Sequence, residues 1–99
     1  MQFEKSNDGH NLTLTLDKKL SAVTAEVLEK DLLTNLDGVK NLSIDMSKLD
    51  YISSAGLRVL LRAQKIMNEQ GKMTLKNAAP EILEIFETTG FDQIMNIIS

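Results

Sequence analysis

The sequence NLSIDMSKLDYISSAGLRVLL, residues 41–61, contains a junction between a strand pattern and a helix pattern that indicates the fold class. Apolar and polar residues alternate over residues 42–46, which predicts a half-buried strand. Ser53 and Ser54 then precede an apolar stripe at helical spacing over residues 57–67, which predicts an amphipathic helix. The first N–H groups of a helix lack intrahelical partners and the helix dipole is positive there, so an anion on either serine would be stabilised. On these residues alone, a helix N-cap followed by a closely packed glycine is the simpler explanation of the pair. If the serines are functional, the junction favours a regulatory phosphate over catalysis.

The residues before this junction predict a β-hairpin followed by a helix. Phe3 precedes a turn signal at residues 7–9, and residues 12–16 alternate strictly between leucine and threonine. Residues 21–36 change to helical spacing, with Thr24 as the predicted N-cap. The apolar positions of this helix are Val27, Leu28, Leu32 and Leu36.

The residues after the junction repeat the strand and helix pattern. Gly71 is predicted to end the junction helix, and a strand at residues 73–75 and a helix at residues 80–90 follow. Residues 91–98 are predicted to form a short helical turn and then an apolar strand or tail. Strands that alternate with helices form right-handed crossovers and a mostly parallel sheet. The predicted fold class is α/β: a four- or five-stranded, mostly parallel sheet with an antiparallel N-terminal edge hairpin and packed helices. Residues 1–99 are expected to form a single domain.

Composition excludes several classes of function. The chain has 11 basic and 14 acidic residues, a net charge of −3 and no basic run, so binding to nucleic acid is disfavoured. It has no cysteine, no metal-ligand spacing and no glycine-rich phosphate loop, so neither a metal nor a cofactor is expected. Because no signal peptide or membrane-length apolar run is present, we expect a cytoplasmic protein without membrane insertion.

The sequence offers little to support an enzyme. His10 is the only histidine and follows a hairpin glycine, where a role in the turn is the simplest interpretation. The acidic pairs Glu29/Asp31 and Glu81/Glu84 fall on exposed helix faces, which is typical of solubility charges. An enzymatic site would have to use Asp45, Asp50 and the two serines. We therefore expect a binding protein that is not an enzyme.

The quoted run resembles the signature of STAS domains, and specifically of stand-alone bacterial anti-sigma factor antagonists. The opening hairpin, residues 20–24 and the late TTGFDQI element at residues 88–94 also follow in the expected order. The resemblance implies that the unmodified protein binds a serine kinase/anti-sigma factor and so frees the sigma factor. Phosphorylation by that kinase at the start of the second main helix would release it, and a PP2C-type phosphatase would reset the switch.

The commonest form of the family motif is an aspartate, a serine, a serine or threonine, then a glycine. Aligned on Gly56, Ala55 occupies the second hydroxyl position and Ser54 the first. Ser53 stands where the aspartate would be. The resemblance therefore makes Ser54 the predicted phosphoacceptor and Ser53 the runner-up.

The predicted docking surface gathers where the carboxyl ends of parallel strands meet the following helices. It combines the loop at residues 21–24, the serine junction and the exposed face of the second helix. The predicted partner-binding residues are Ser21, Ala22, Val23, Thr24, Ser53, Ser54, Ala55, Gly56, Arg58 and Arg62. The alternative is a STAS scaffold subunit, in a signalling assembly or a membrane lipid-transport complex, whose serines merely cap the helix.

Overall fold

Strands and helices alternate along the chain in the computed structural model, which describes residues 1–98. The strands are β1 (Gln2–Lys5), β2 (Asn11–Thr15), β3 (Lys19–Leu20), β4 (Asn41–Asp45), β5 (Tyr51–Ile52), β6 (Lys72–Lys76) and β7 (Asn96–Ile98). The helices are α1 (Ala22–Asn35), α2 (Ser54–Gln70) and α3 (Pro80–Thr89), and a 3-10 turn at Phe91–Gln93 follows α3.

The described residues form one five-stranded sheet in the order β1-β2-β4-β6-β7 and a separate parallel pair, β3-β5. In the larger sheet β1 is antiparallel to β2, and the remaining neighbours are parallel. The predicted α/β class, the edge hairpin and the final turn and strand are thus confirmed. The β3-β5 pair was not predicted, because two-residue strands are too short to show an alternation.

The core lies on one face of the sheet. In-register neighbours such as Leu14, Ile44 and Leu75 are fully buried, whereas Thr15, Asp45 and other alternate residues are half-exposed. The buried sides of the helices belong to the same apolar cluster as these strand residues. The helices therefore cover one sheet face and leave the other towards solvent.

Helix α1 begins earlier and faces differently than predicted. Thr24 is not the N-cap: the Ser21 hydroxyl accepts a hydrogen bond from the Thr24 N–H at 3.2 Å, and Thr24 Oγ1 accepts one from the Ser21 N–H at 2.7 Å. This reciprocal capping box makes residues 22–24 the first turn of α1 and not a loop. Val27 is 49% exposed, because the buried stripe is set by Ala25, Leu28 and Leu32.

Helix α2 is anchored at its C-terminal end to the segment between α1 and β4. The Gln70 side-chain amide donates to the carbonyls of Leu36 at 2.6 Å and Val39 at 2.7 Å. Gly71 follows at a close approach, where an added Cβ would lie 2.0 Å from the Lys40 carbonyl oxygen. These contacts fix the far end of α2 and so determine where its first turn, with the serines, is presented.

Within the described residues, none of the helices combines the length and the apolar character needed to cross a bilayer.

Candidate partner-docking site

Ser53 is the N-cap of α2. Its backbone is extended (φ −86°, ψ 168°), its hydroxyl accepts a hydrogen bond from the Gly56 N–H at 3.1 Å, and its own N–H donates to the Leu20 carbonyl at 2.9 Å. The side chain is half-buried. The Ser53 hydroxyl is therefore already used to satisfy one of the unpaired donors of the first turn.

Ser54 is the first residue of α2 and is exposed. No hydrogen bond joins its hydroxyl to another residue in the part of the chain that the structure describes. The two adjacent serines thus differ in kind, because one closes the helix end and the other presents a free hydroxyl beside it. Of the two, Ser54 has the accessibility that a modifying enzyme requires.

Gly56 lets the start of α2 pack directly against the β3-β5 pair. A Cβ at this position would lie 2.8 Å from Leu20 Cγ and 2.9 Å from Ile52 Cγ1, closer than side chains tolerate. The residue is buried, and no larger side chain fits without a shift. Gly56 therefore sets the position of the serines relative to the small sheet.

The β3-β5 pair also brings the two predicted binding segments together. Leu20 is the register partner of Ile52, so the residues that follow, Ser21 and Ser53, are neighbours. Each of these serines is the N-cap of a helix. The first turns of α1 and α2 consequently start side by side, with Ser54 on the first turn of α2.

A shallow groove runs between α1 and α2 on this surface. It is lined by Ala22, Ala25, Glu26, Glu29, Ala55, Arg58 and Val59. Its volume of about 170 Å³ is below the range of roughly 300–1,000 Å³ typical of small-molecule pockets, so a side chain of a protein partner is the better fit. Farther along the groove, Arg62 Nη1 lies 3.3 Å from Glu29 Oε2 and ties the helices together.

Exposed apolar side chains lie on the elements that form this surface, and two of them were not predicted as partner-binding residues. Val23, which was predicted, is 73% exposed, and Val27 is on the same helix one turn later. Tyr51 is 50% exposed, with Lys19 Nζ 5.8 Å from its ring centroid. Tyrosines of this kind are enriched at the centres of interfaces. The helical spacing of Val23 and Val27 was visible in the sequence, but the pairing of Tyr51 with Lys19 was not.

The candidate acidic residues are occupied elsewhere. Asp45 Oδ1 accepts hydrogen bonds from the Ser47 N–H at 2.9 Å and the Asn77 side-chain amide at 3.2 Å. The Ser47 N–H and then the Asn77 amide hold the pKa of Asp45 below its ordinary value. Asp50 Oδ2 lies 3.7 Å from Lys18 Nζ. These contacts give both carboxylates structural roles at strand ends.

His10 takes part in the turn that closes the hairpin. Its N–H donates to Asp8 Oδ1 at 3.0 Å, and its carbonyl accepts from the N–H groups of Lys40 and Asn41 at 2.7 and 2.9 Å. The residue therefore connects the hairpin to the start of β4 through its backbone.

The chain belongs to the STAS domain family, because the model of that family matches residues 2–99. Among its relatives is BtrV of Bordetella bronchiseptica, a candidate anti-sigma factor antagonist, which is 39% identical over 88 residues covering 87% of this chain and 76% of that protein. The anti-sigma-B factor antagonist of Bacillus subtilis is 24% identical over 94 residues, covering 94% of this chain and 85% of that protein.

Solved structures share the fold. The anti-sigma factor antagonist SpoIIAA in its unphosphorylated form superposes with a TM-score of 0.79 at 16% identity, over 99% of this chain and 86% of that one. The phosphorylated form of SpoIIAA from Bacillus gives a TM-score of 0.77 at 18% identity, over 99% and 90% of the two chains. The sheet order and the antiparallel β1-β2 edge described above are therefore those of the family fold.

Proposed function

We propose that this protein is an anti-sigma factor antagonist and not an enzyme, and that its state is set at Ser54. With a free Ser54 hydroxyl it binds a serine kinase/anti-sigma factor, and with a phosphate there it lets that partner go. The observation that carries the proposal is the exposed, unengaged hydroxyl on the first turn of α2, which starts beside the first turn of α1. The names of the relatives support the partner class.

The modification is a phosphoryl transfer. The kinase moves the γ-phosphoryl group of ATP to Ser54 Oγ, the hydroxyl proton is lost and ADP leaves. A PP2C-type phosphatase hydrolyses the ester with water and restores the hydroxyl. The phosphate adds a charge of about −1.5 to −2. At the first position of a helix this charge faces the positive end of the dipole, so the modified domain stays folded.

The same charge disrupts docking because small apolar side chains lie on the two adjoining helix starts. Ala55 follows Ser54 in α2, and Ala22 and Val23 lie in the first turn of α1, so a partner that docks here has to desolvate them. A phosphate at the centre of such a surface would have to be desolvated as well, and a few central residues carry most of the affinity of an interface. Phosphorylation can therefore release the partner without any change of fold.

The test uses the purified protein with purified serine kinases of the anti-sigma class from its source genome. After incubation with ATP, mass mapping should place one phosphate on Ser54 in the wild type and in Ser53→Ala, and none in Ser54→Ala. In calorimetric binding experiments, Ser54→Asp should bind at least about 30-fold more weakly, which corresponds to about 2 kcal/mol.

Ser54→Asn is the matched control, because it has the size of aspartate without the charge. It should bind within a few-fold of the wild type. If no serine is labelled by any such kinase and Ser54→Asp binds as tightly as Ser54→Asn, the switch does not exist. A STAS scaffold subunit whose serines only cap the helix would then be the better description.

A further inference from the structure

Arg58 lies one helical turn after Ser54 on the exposed face of α2. The two residues are four apart in a continuous helix, and both are exposed. Side chains at this spacing are neighbours on a helix surface, and an anion placed N-terminal to a cation is the favourable order. A group attached to Ser54 Oγ is therefore within reach of the Arg58 guanidinium.

Arg58 differs from Arg62, the next arginine on this face. Arg62 Nη1 lies 3.3 Å from Glu29 Oε2, so its charge is already paired across the two helices. No ion pair within 4.0 Å engages Arg58 among residues 1–98. Arg58 instead lines the groove between α1 and α2 together with Glu26 and Glu29. It is the arginine of this surface that can change partner at little cost.

We propose that Arg58 binds the phosphate of phosphorylated Ser54 and leaves the groove to do so. The proposal rests on modification at Ser54, as argued above. A planar guanidinium presents paired donors that match phosphate oxygens, and such charge-assisted contacts are stronger than those of neutral groups. The fixed helix between the two residues keeps the ordering cost low, because only the arginine side chain has to turn.

The consequence is that phosphorylation changes the docking surface at two places. A negative charge appears at the start of α2, and the positive charge of Arg58 is withdrawn from the groove. Glu26 and Glu29 then border the groove without that cation. A partner that complements the unmodified groove therefore meets a surface whose charge has changed at both Ser54 and Arg58, one helical turn apart.

The experiment measures the phosphate directly. Phosphoserine is incorporated at position 54 during translation, and the second pKa of the phosphate is followed by ³¹P NMR in the wild type, in Arg58→Gln and in Arg62→Gln. Arg58→Gln should raise the phosphate pKa by about 0.2 to 0.4 pH units. Arg62→Gln removes one positive charge two turns from Ser54 and should raise the phosphate pKa by less than half as much. Circular dichroism checks that each protein is folded.

Equal shifts in the two variants, or no shift in Arg58→Gln, would overturn the pairing. Because phosphoserine is introduced without a kinase, this result is independent of the labelling experiment. Failure of kinases to label Ser54, together with binding of Ser54→Asp as tight as that of Ser54→Asn, removes the proposed function and leaves the measured contact intact. Labelling of Ser54 with no effect of Arg58→Gln leaves the proposed function and removes the role of Arg58.

Discussion

The Ser53 hydroxyl accepts a hydrogen bond from the Gly56 N–H at 3.1 Å, and this contact closes the first turn of α2 beneath the exposed Ser54 hydroxyl. One serine therefore stabilises the turn that presents the other. The arrangement separates the hydroxyl that stabilises the helix end from the hydroxyl proposed to be phosphorylated, and the difference between the two can be measured.

Replacing the cap should destabilise the protein. Ser53→Ala leaves the Gly56 N–H without its acceptor, and loss of a serine N-cap costs about 1 kcal/mol. We expect the free energy of unfolding in urea to fall by about that amount. Ser53→Asp should retain most of the wild-type value, because a carboxylate accepts the same hydrogen bond and faces the positive helix end.

Ser54→Ala is the control for that measurement. Its hydroxyl has no hydrogen-bonding partner among the described residues, so its removal should change stability by less than about 0.5 kcal/mol. If Ser54→Ala were as costly as Ser53→Ala, the Ser54 hydroxyl would also stabilise the helix end, and the distinction between the two serines would be wrong.

Substitution of Gly56 provides a second, independent test of the first turn of α2. Alanine improves helix propensity by about 1 kcal/mol, but its Cβ would lie 2.8 Å from Leu20 Cγ, and overpacking costs about 1–3 kcal/mol. We expect Gly56→Ala to be destabilised by about 1 kcal/mol in urea unfolding and to bind its partner more weakly, since the start of α2 must move.

A double-mutant cycle identifies the cause. In a Leu20→Ala background the new methyl group no longer meets the leucine, so the cost of Gly56→Ala should shrink or change sign. An unchanged cost in that background would show that Leu20 is not the obstacle.

The long periodic elements could be predicted from the sequence, and the short ones could not. Strands such as β4 and helices such as α2 contain enough residues for the period to be unambiguous. The β3-β5 pair has two residues in each strand, and only its parallel register places Ser21 beside Ser53. The sequence predicted three residues that line the groove between α1 and α2, namely Ala22, Ala55 and Arg58, for the docking surface. The other lining residues, Ala25, Glu26, Glu29 and Val59, were not predicted, because the groove depends on the β3-β5 pair.

Errors at α1 have a local cause. Ser21 and Thr24 are both suitable N-caps, and the capping box uses both hydroxyls, so the sequence alone does not show which residue begins the helix. The position of Val27 was misjudged because the small Ala25, which packs into the core, carries little hydrophobic signal. Exposed valines on a helix become informative only when the buried stripe is known.

Gly71 should tolerate substitution less well than Gly38. A Cβ at Gly71 would lie 2.0 Å from the Lys40 carbonyl oxygen, which is backbone and cannot move away cheaply. Gly38 has φ +78° with nothing within 4 Å of a new Cβ, so alanine there costs only the strain of the left-handed conformation, about 1 kcal/mol. We expect Gly71→Ala to lose about 3 kcal/mol in thermal or urea unfolding. Equal losses in the two variants would contradict the close approach.

Ionisation of Asp45 should make the free energy of unfolding depend on pH in the acid range. Its carboxylate accepts hydrogen bonds from the Ser47 N–H and the Asn77 amide, which lower its pKa in the folded state. A lowered folded-state pKa stabilises the protein at pH values above the ordinary aspartate pKa of 3.8. This stabilisation is lost as the pH falls through the folded-state pKa. The free energy of unfolding should therefore decrease between about pH 5 and pH 2, and less steeply in Asp45→Asn.

Two further variants separate this carboxylate from others. Asn77 has φ +63°, so Asn77→Gly removes the amide donor and keeps the backbone conformation. Like Asp45→Asn, it should make the free energy of unfolding decrease less steeply at low pH. Asp8, whose pKa is lowered by the Ser6 hydroxyl and the His10 N–H, lies in the hairpin turn, and Asp8→Asn should remove a separate part of the slope. If Asp45→Asn and Asn77→Gly both retain the wild-type acid profile, the contact between the ends of β4 and β6 does not contribute to stability.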